Sequence, residues 1–223
     1  MKCFSTELAY LLGVYHSDGT IVRYKFKNVF RHRFVLTCAE NSLGMLEKTR
    51  DIFFKLFQRK VSIMKRSTLS CQGGSQLFTV EVQIAKLWPV LKKFGFNSGR
   101  IPIWIAKNPN YFGAYLAALI DGDGNVVIKR PQYPQCCIRI TSAKELRTLR
   151  RLIKRHLKCA CHTVKITRFI TSLPRAKPAL YSWWQLSFLA SPKNAEFLKA
   201  HVLEFMALPY KRDKINSFLK VKM

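Results

Sequence analysis

Two short acidic stretches in a strongly basic sequence could hold a divalent cation. Residues 115–124 read YLAALIDGDG, and residues 10–19 read YLLGVYHSDG. In both stretches an apolar helical pattern ends at an Asp-Gly pair, which places Asp18 and Asp123 at matched positions 105 residues apart. The last carbonyl groups of a helix lack intrahelical partners and lie at the negative end of its dipole. A carboxylate at such an end adds to an already negative environment.

Two such helix ends, placed side by side, would bring two carboxylates and several free carbonyls together. A bound cation would stabilise that arrangement, and ligation by oxygen alone favours Mg²⁺ or a similar hard divalent ion. Two such ions about 3.5–4 Å apart are the usual arrangement for in-line phosphodiester cleavage. A single Asp-Gly pair often does no more than end a helix. Two pairs at matched positions of a repeated unit favour a metal site.

The net charge indicates the class of partner. The chain of 223 residues carries 39 Lys and Arg against 12 Asp and Glu, a net charge of +27. Such a charge attracts polyanions, with nucleic acid as the first candidate and an anionic membrane surface as the second. No apolar stretch reaches the roughly 18 residues expected of a membrane span. We therefore expect a nucleic-acid partner and no membrane association.

The cysteines indicate a reducing compartment. The chain has seven, an odd number, and two of them are adjacent, which disfavours a disulfide framework. We expect the cytoplasm or nucleoid, or an organelle matrix if the protein is organelle-encoded. The stretch HLKCACH at residues 156–162 could offer metal ligands, but its cysteine spacing is tight and no second pair lies at zinc-ribbon distance. We expect small apolar positions at a helix end and a strand start.

The same order of patterns is written twice along the chain. An apolar helix, two alternating strands, a helix with apolar residues at steps of three and four, two more strands and a closing helix occur in each half. We predict an α+β fold of two pseudo-symmetric αββαββα units with antiparallel sheets. The first unit spans residues 1–96, a linker spans 97–110, and the second unit with a basic C-terminal helix spans 111–223.

The two opening helices are predicted to pack against each other. Small residues on their apolar faces, Gly13 in the first and Ala117 and Ala118 in the second, would allow a close approach. Gly19 and Gly124 follow the two acidic residues and suit the left-handed conformation that commonly ends helices. Both features predict that the two Asp-Gly ends meet at one point.

These motifs resemble those of a known family. LLGVYHSDG and LAALIDGDG resemble the two copies of the LAGLIDADG motif, and nearly the whole chain is similar to the monomeric, double-motif LAGLIDADG homing endonucleases. The first motif has Tyr15, His16 and Ser17 where the family typically has Ile-Asp-Ala, but it retains Asp18. The resemblance implies a site-specific, intron-homing double-strand DNA endonuclease. It would bind a long non-palindromic target as a monomer and leave short 3′ overhangs.

The resemblance also implies a set of active-site residues. The implied metal ligands are the carboxylates of Asp18 and Asp123 and the backbone carbonyls of Ser17 and Gly122. Mg²⁺ is the expected cofactor, with Mn²⁺ as an alternative, and Ca²⁺ should bind without efficient cleavage. Family members often place a basic residue near each metal, and Lys86 and Lys193, at the starts of the closing helices, are the candidates. Cys38 and Ser142 occupy a polar family position, but Cys38 departs from the glutamine often found there and is left out of the catalytic set.

The two sheets are expected to form a saddle whose strands enter the DNA major groove. Arginine reads guanine and glutamine reads adenine there, although a given basic residue more often contacts phosphate. In the first unit we predict that five basic residues at alternating positions share one sheet face and contact DNA: Arg23, Lys25, Lys27, Arg31 and Arg33. We also predict DNA contacts from Lys65 and Gln83. In the second unit we predict contacts from Lys129, Arg130, Arg139, Lys165, Arg168 and Gln185.

Two rival functions fit the same pattern. A maturase that binds intron RNA and assists splicing is the main alternative, because a fold does not fix a function. A DNA-binding regulator without catalysis is the second, but such a protein would be expected to lose one or both of Asp18 and Asp123. The sequence therefore favours a nuclease with double-stranded DNA as its partner and intron RNA as the alternative partner.

Overall fold

The computed structural model describes residues 4–66, 76–130, 132–170 and 179–221. The first unit contains α1 (Thr6–Ser17), β1 (Thr20–Phe26), β2 (Val29–Ala39), α2 (Leu43–Phe57), β3 (Ile63–Arg66), β4 (Leu77–Gln83) and α3 (Trp88–Lys93). After α4 (Ile103–Lys107), the second unit contains α5 (Pro109–Asp121), β5 (Gly124–Lys129), β6 (Gln135–Ser142), α6 (Arg147–Leu157), β7 (Cys161–Ile170), β8 (Ala179–Ala190) and α7 (Pro192–His201). The last helix is α8 (Pro209–Val221), and short 3-10 turns cover Glu40–Ser42 and Leu203–Phe205.

Each unit forms a four-stranded antiparallel sheet, with strand orders β1-β2-β4-β3 and β5-β6-β8-β7. The predicted α+β fold of two pseudo-symmetric αββαββα units is confirmed. The turns between the second strand pair of each unit fall largely at 67–75 and 171–178, outside the described residues. Across the described part of the chain, no helix is long and apolar enough to cross a membrane.

One face of each sheet packs against helices, and the other face is open. In the first sheet Phe34 and Leu36 of β2 and Val82 of β4 are at most 3% exposed and belong to the hydrophobic core. Their neighbours along each strand point to the opposite side because side chains alternate between the two faces. The side chains on the open face of each sheet are therefore the ones that do not pack against the helices.

The second opening helix begins two residues earlier than the sequence pattern predicts. The side chain of Asn108 accepts hydrogen bonds from the backbone N–H groups of Asn110 and Tyr111, at 2.9 and 3.2 Å. Pro109 occupies the first helical position, where its missing N–H costs nothing. The predicted linker at 97–110 is thus partly helical, since it also contains α4.

Helices α1 and α5 cross closely in the middle of the molecule, as predicted. A Cβ atom added to Gly13 would lie 2.6 Å from Ala118 Cβ and 2.6 Å from the Tyr115 carbonyl oxygen. Only glycine fits there, because real carbon atoms do not approach so closely. The crossing is what brings the two helix ends together.

The prediction of left-handed backbone at Gly19 and Gly124 is wrong. Among the described glycines only Gly95 has a positive φ, of 104°. Glycine is instead needed for space. A Cβ at Gly124 would lie 2.3 Å from the Ile120 carbonyl oxygen, and one at Gly19 would lie 2.9 Å from Tyr15 Cα. In both places the strand leaves its helix so tightly that the backbone fills the room of a side chain.

Candidate active site and nucleic-acid interface

Asp18 and Asp123 lie where the two opening helices end side by side. The N–H of Asp18 donates to the Val14 carbonyl at 3.1 Å at the C-terminal end of α1. Asp123 directly follows Gly122, which is the C-cap residue of α5. A Cβ added to Gly122 would lie 2.2 Å from Asp18 Oδ2 and 2.4 Å from Ser17 Oγ. The backbone at Gly122 therefore packs directly against the end of the opposite helix.

The surroundings of the two carboxyl groups disfavour two bare negative charges. Burial and then the neighbouring Asp18 charge raise the pKa of Asp123 from 3.8 to about 6. Burial also raises the pKa of Asp18, against a lowering effect of Lys211 and of the Ser17 hydroxyl. Like charges and a low-dielectric environment both penalise ionisation. A cation between the carboxylates would remove that penalty.

The donor set fits a hard divalent cation. The predicted set, the carboxylates of Asp18 and Asp123 with the helix-end carbonyls of Ser17 and Gly122, contains oxygen ligands alone, and its role as a metal site stays a prediction. No group of three or more His, Cys, Asp or Glu side chains that could hold a metal occurs within the described ranges. Main-chain carbonyls would therefore have to complete the ligation.

Lys211 of α8 is a basic residue that the structure brings to this centre. Its Nζ donates to the carbonyls of Ile120 at 2.8 Å and Asp121 at 2.6 Å, and lies 3.4 Å from that of Gly122. The side chain is 7% exposed. Its charge lowers the pKa of both Asp18 and Asp123 against the larger raising effect of burial. The ammonium group thus neutralises the C-terminal end of α5 beside the carboxylates.

The apolar periodicity of α8 is the sequence signal for Lys211. Lys211 stands four and eight residues before Ile215 and Leu219, which are both completely buried. A lysine in register with the apolar positions of a helix points toward the core, where it needs polar partners. The basic character of the C-terminal helix concealed this periodicity.

The structure does not bring Lys86 or Lys193 to the carboxylates. Both are exposed, Lys86 in the turn before α3 and Lys193 in the first turn of α7. In the second unit β8 ends at Ala190, which pairs with Cys136, whereas Gly124 pairs with Ile140. Four strand residues separate these levels, a distance of about 13 Å at roughly 3.3 Å per residue. The closing helices begin at the far end of the strands.

His16 lies inside the helix crossing as a hydrogen-bonded residue. Its Nε2 lies 2.8 Å from the Ser98 carbonyl oxygen, and its Nδ1 lies 2.9 Å from the hydroxyl of Tyr115. Since a carbonyl can only accept, Nε2 carries the proton and Nδ1 accepts from the tyrosine. Burial lowers the pKa of His16, which keeps the ring neutral. Its partners are structural, and neither is a carboxylate of the centre.

The remaining polar candidates have local roles. The thiol of Cys38 lies 3.3 Å from the Ser42 carbonyl oxygen. Burial and then the Asp18 charge raise its pKa to about 11, so it stays protonated. Ser142 Oγ accepts from the backbone N–H of Lys144 at 3.1 Å. A cavity of about 510 Å³ opens beside Asp123, with Ser142 in its wall, and gives solvent a path to the centre.

The HLKCACH stretch forms the predicted helix end and strand start. Helix α6 ends at Leu157 and β7 begins at Cys161. His156 Nε2 lies 2.9 Å from the Ala106 carbonyl oxygen, and its ring stacks on Phe112 with centroids 4.7 Å apart. Cys161 is buried. Packing and one backbone contact account for these residues.

The prediction that the basic residues between Arg23 and Arg33 share one sheet face is wrong. Arg23 pairs with His32 and Lys25 pairs with Phe30, whereas Tyr24 pairs with Arg31. Directly opposed residues point to the same face, and a hairpin reverses the alternation. Arg31 and Arg33 therefore lie on the open face, while Arg23 and Lys25 lie on the face of Phe34. Lys27 occupies the hairpin turn with a φ of 45°.

The same register sorts the other predicted DNA-binding residues. The open faces also carry Gln83, Lys129, Arg139, Arg168 and Gln185. The opposite faces carry Lys65 and Lys165, and Arg130 lies at a turn with a φ of 55°. The DNA contacts themselves stay predictions for both sets of residues.

The comparisons with known proteins concern the fold. No family model matches the sequence, and no curated protein matches it. Among solved structures, I-DmoI in complex with DNA and Ca is 15% identical, with a TM-score of 0.60 over 95% of this chain and 97% of that one. I-DmoI in complex with DNA and Mn is 17% identical, with a TM-score of 0.54 over 88% and 96%. The meganuclease I-SmaMI bound to uncleaveable DNA is 12% identical, with a TM-score of 0.53 over 99% and 89%.

The chain has the fold of LAGLIDADG homing endonucleases. The resemblance seen in the sequence is thereby confirmed at the level of the fold and over almost the whole chain. The double-motif arrangement agrees with it, because both opening helices of the fold come from one polypeptide. Activity, metal and target are separate questions that rest on the residues of this chain.

Proposed function

We propose that the protein is a metal-dependent, site-specific endonuclease that cleaves both strands of duplex DNA. One observation carries the proposal: Asp18 and Asp123, one from each unit, lie just beyond the last turns of α1 and α5, next to Gly122. A metal-dependent nuclease centre needs acidic oxygen ligands held close together. The electrostatic repulsion between them is offset when the metal binds. The similar solved structures include I-DmoI, called a homing endonuclease, and complexes of it with DNA and divalent ions.

The residues have distinct roles in this proposal. Asp18 and Asp123, with the carbonyls of Ser17 and Gly122, would hold Mg²⁺, or Mn²⁺ in its place. Bound divalent ions polarise a phosphodiester and activate water for attack on phosphorus. Lys211 holds the α5 carbonyls in place and offsets the negative charge of the pair. The open faces of the two sheets, with Arg31 and Arg139 among their side chains, bind and orient the duplex.

The finer features follow from the asymmetry of the two units. Unlike side chains at matched positions of the two sheets favour a long, non-palindromic target bound by one chain, whereas a homodimer would require a palindrome. We propose cleavage that leaves short 3′ overhangs, and Ca²⁺ as an ion that supports binding with little cutting. An intracellular reducing compartment suits the five described cysteines, which are all free.

The decisive experiment combines a randomised duplex library with active-site variants. Wild-type protein with Mg²⁺ should cut a selected sequence, and sequencing of the ends gives the overhang. Asp18→Asn and Asp123→Asn should each abolish double-strand cleavage while the duplex still binds. Either variant cutting both strands at the wild-type rate would overturn the proposed centre. With about 6–10 phosphates contacted, duplex affinity should fall ~10³–10⁵-fold between 50 and 200 mM salt.

The alternative from the sequence, an intron RNA-binding maturase, makes a different prediction for the same variants. RNA binding and assisted splicing would need neither carboxylate, so Asp18→Asn would leave them intact. Tight binding to a structured intron RNA without cleavage of any duplex in Mg²⁺ would favour the maturase. The paired carboxylates favour the nuclease, because RNA binding does not explain why both are retained at a costly position.

A further inference from the structure

Glu81 is the one acidic residue in the strands that the structure describes. It lies on β4, opposite Val35 of β2, and points to the open face of the first sheet. A carboxylate on a surface that faces phosphates weakens binding through charge repulsion. The chain carries a net charge of +27, so an acidic residue placed there calls for a specific reason.

Both oxygens of Glu81 are bonded to arginines from neighbouring strands. Arg33 Nη1 pairs with Oε2, and Arg66 Nη2 donates to Oε1 at 2.7 Å. The two arginines cover the carboxylate, whose side chain is only 17% exposed. Bidentate or paired guanidinium–carboxylate contacts fix the orientation of both groups. Glu81 thus orients the guanidinium groups of Arg33 and Arg66.

The restraint extends across all four strands of the first sheet. The guanidinium of Arg33 lies 5.1 Å from the centroid of the Tyr24 ring. The Tyr24 hydroxyl in turn donates to Gln83 Oε1 at 2.7 Å, which leaves the amide nitrogen of Gln83 free to donate. We call Tyr24, Arg33, Arg66, Glu81 and Gln83 the open-face network. Its donors are held in place before any partner arrives.

The second sheet has no carboxylate at the matched position. Thr20 and Asn125 each follow the motif aspartate by two residues, and they pair with Val35 and Arg139. Val35 faces Glu81 on the next strand, whereas Arg139 faces Ser187. Arg139 forms no ion pair with any described residue. The restraint is therefore specific to the first unit.

We propose that Glu81 determines specificity for the first half of the DNA target by directing the open-face network to a G·C base pair. The inference rests on the proposed function, since it presumes DNA on the open face. A mobile arginine on a basic surface binds phosphate, which carries no sequence information. A restrained arginine donates to guanine O6 and N7. The guanine of a G·C pair presents both acceptors together, while the carboxylate repels phosphate.

The test compares wild type with Glu81→Gln on duplexes of equal length in metal-free buffer. One carries the target selected by cleavage, a set carries each single base-pair change in the first half-site, and one has random sequence. Wild type should discriminate about 5- to 150-fold at one G·C position. Glu81→Gln should lose most of that discrimination. Its affinity for random duplex should rise, with a salt slope steeper by about 0.9 for each phosphate gained.

Two further variants separate the proposal from general charge effects. Asp51→Asn makes the same carboxylate-to-amide change at an exposed Arg50 ion pair on α2, and should leave discrimination unchanged. Arg33→Met should lose discrimination at the same base pair as Glu81→Gln, and the double variant should lose no more than either. Glu81→Gln that folds normally and discriminates like wild type at every position would overturn the inference. Wild type that binds no duplex in preference to another would instead remove the proposed function.

Discussion

His16 and Asp121 occupy equivalent positions in the two opening helices, and each bonds to the tyrosine of the opposite helix. Tyr10 donates to Asp121 Oδ2 at 2.8 Å, and Tyr115 lies 2.9 Å from His16 Nδ1. Each of the two residues also bonds to a backbone group outside the helix pair, and the type of backbone group suits the side chain. Asp121 accepts from the backbone N–H of Ala207 at 2.7 Å, whereas His16 lies 2.8 Å from the carbonyl of Ser98. The first motif therefore has histidine where the second has aspartate because its backbone partner is an acceptor, the Ser98 carbonyl, whereas that of Asp121 is a donor, the Ala207 N–H.

Removal of the Tyr10 hydroxyl should destabilise the protein. The Asp121 side chain is 1% exposed, and Tyr10→Phe would leave its charge with one donor fewer, at a cost of about 1–3 kcal/mol. Tyr111→Phe is the control, since that hydroxyl donates to the Phe4 carbonyl at an exposed site. Chemical denaturation followed by circular dichroism gives both unfolding free energies. Equal values for the two variants would contradict the assigned role of the Tyr10–Asp121 bond.

A single methyl group at the helix crossing should be costly. Gly13→Ala would place Cβ 2.6 Å from both Ala118 Cβ and the Tyr115 carbonyl, and overpacking of this kind costs about 1–3 kcal/mol. In the control Gly99→Ala, the new methyl meets only the flexible Lys144 side chain, so stability should barely change. Thermal unfolding of the two variants makes the comparison. If Gly13→Ala were as stable as Gly99→Ala, the close crossing would be refuted.

Loss of the Lys211 charge should impair cleavage more than binding. Lys211→Met keeps most of the side-chain volume but leaves the Ile120 and Asp121 carbonyls without their partner. Removal of one electrostatic contact from an active site typically lowers the rate by about 10²-fold. Single-turnover cleavage and duplex affinity should be measured together, with exposed Lys214→Met as the control in the same helix. A Lys211→Met rate equal to that of the control would exclude a role at the centre.

The carboxylate pair should give the metal-free protein a distinctive pH dependence. The pKa of Asp123 is about 6 in the folded chain against 3.8 normally, so the folded state binds more protons between these values. Its contribution to stability therefore improves as pH falls through this window and worsens as pH rises. In EDTA at pH 7.5, Asp123→Asn should raise the melting temperature by roughly 2–4 °C per kcal/mol of repulsion relieved.

The difference between Asp123→Asn and wild type should vanish well below pH 3.8, where Asp123 is protonated in the folded and the unfolded chain alike. Differential scanning calorimetry across the pH range supplies the measurement. A divalent ion should reverse the order at pH 7.5, because only the wild-type pair binds it tightly. A difference in melting temperature that is constant with pH would show that the carboxylates do not repel each other.

The sequence predicted the fold and the acidic pair because both depend on local patterns that occur twice. Asp18, Asp123 and Gly13 could be located from periodicity and small residues alone. The distance of Lys193 from the centre could not, since the place where a closing helix begins depends on strand length and register. The prediction that Arg23 and Arg31 lie on the same sheet face was wrong for a related reason. A hairpin reverses side-chain alternation at its turn, and two positive φ angles at Lys27 and Asn28 decide where that reversal falls.

The division of the candidate centre between two units makes the proposed cleavage depend on their pairing. Asp18 lies on one unit and Gly122 and Asp123 on the other, so neither half of the chain holds a complete set of oxygens. We therefore expect that cleavage requires both halves of the chain. If the chain were divided between α3 and α4, neither fragment alone would cleave DNA. Cleavage would return only when the two fragments associated. The proposed activity would therefore require the close contact between the two helix ends at Gly122 and Asp18.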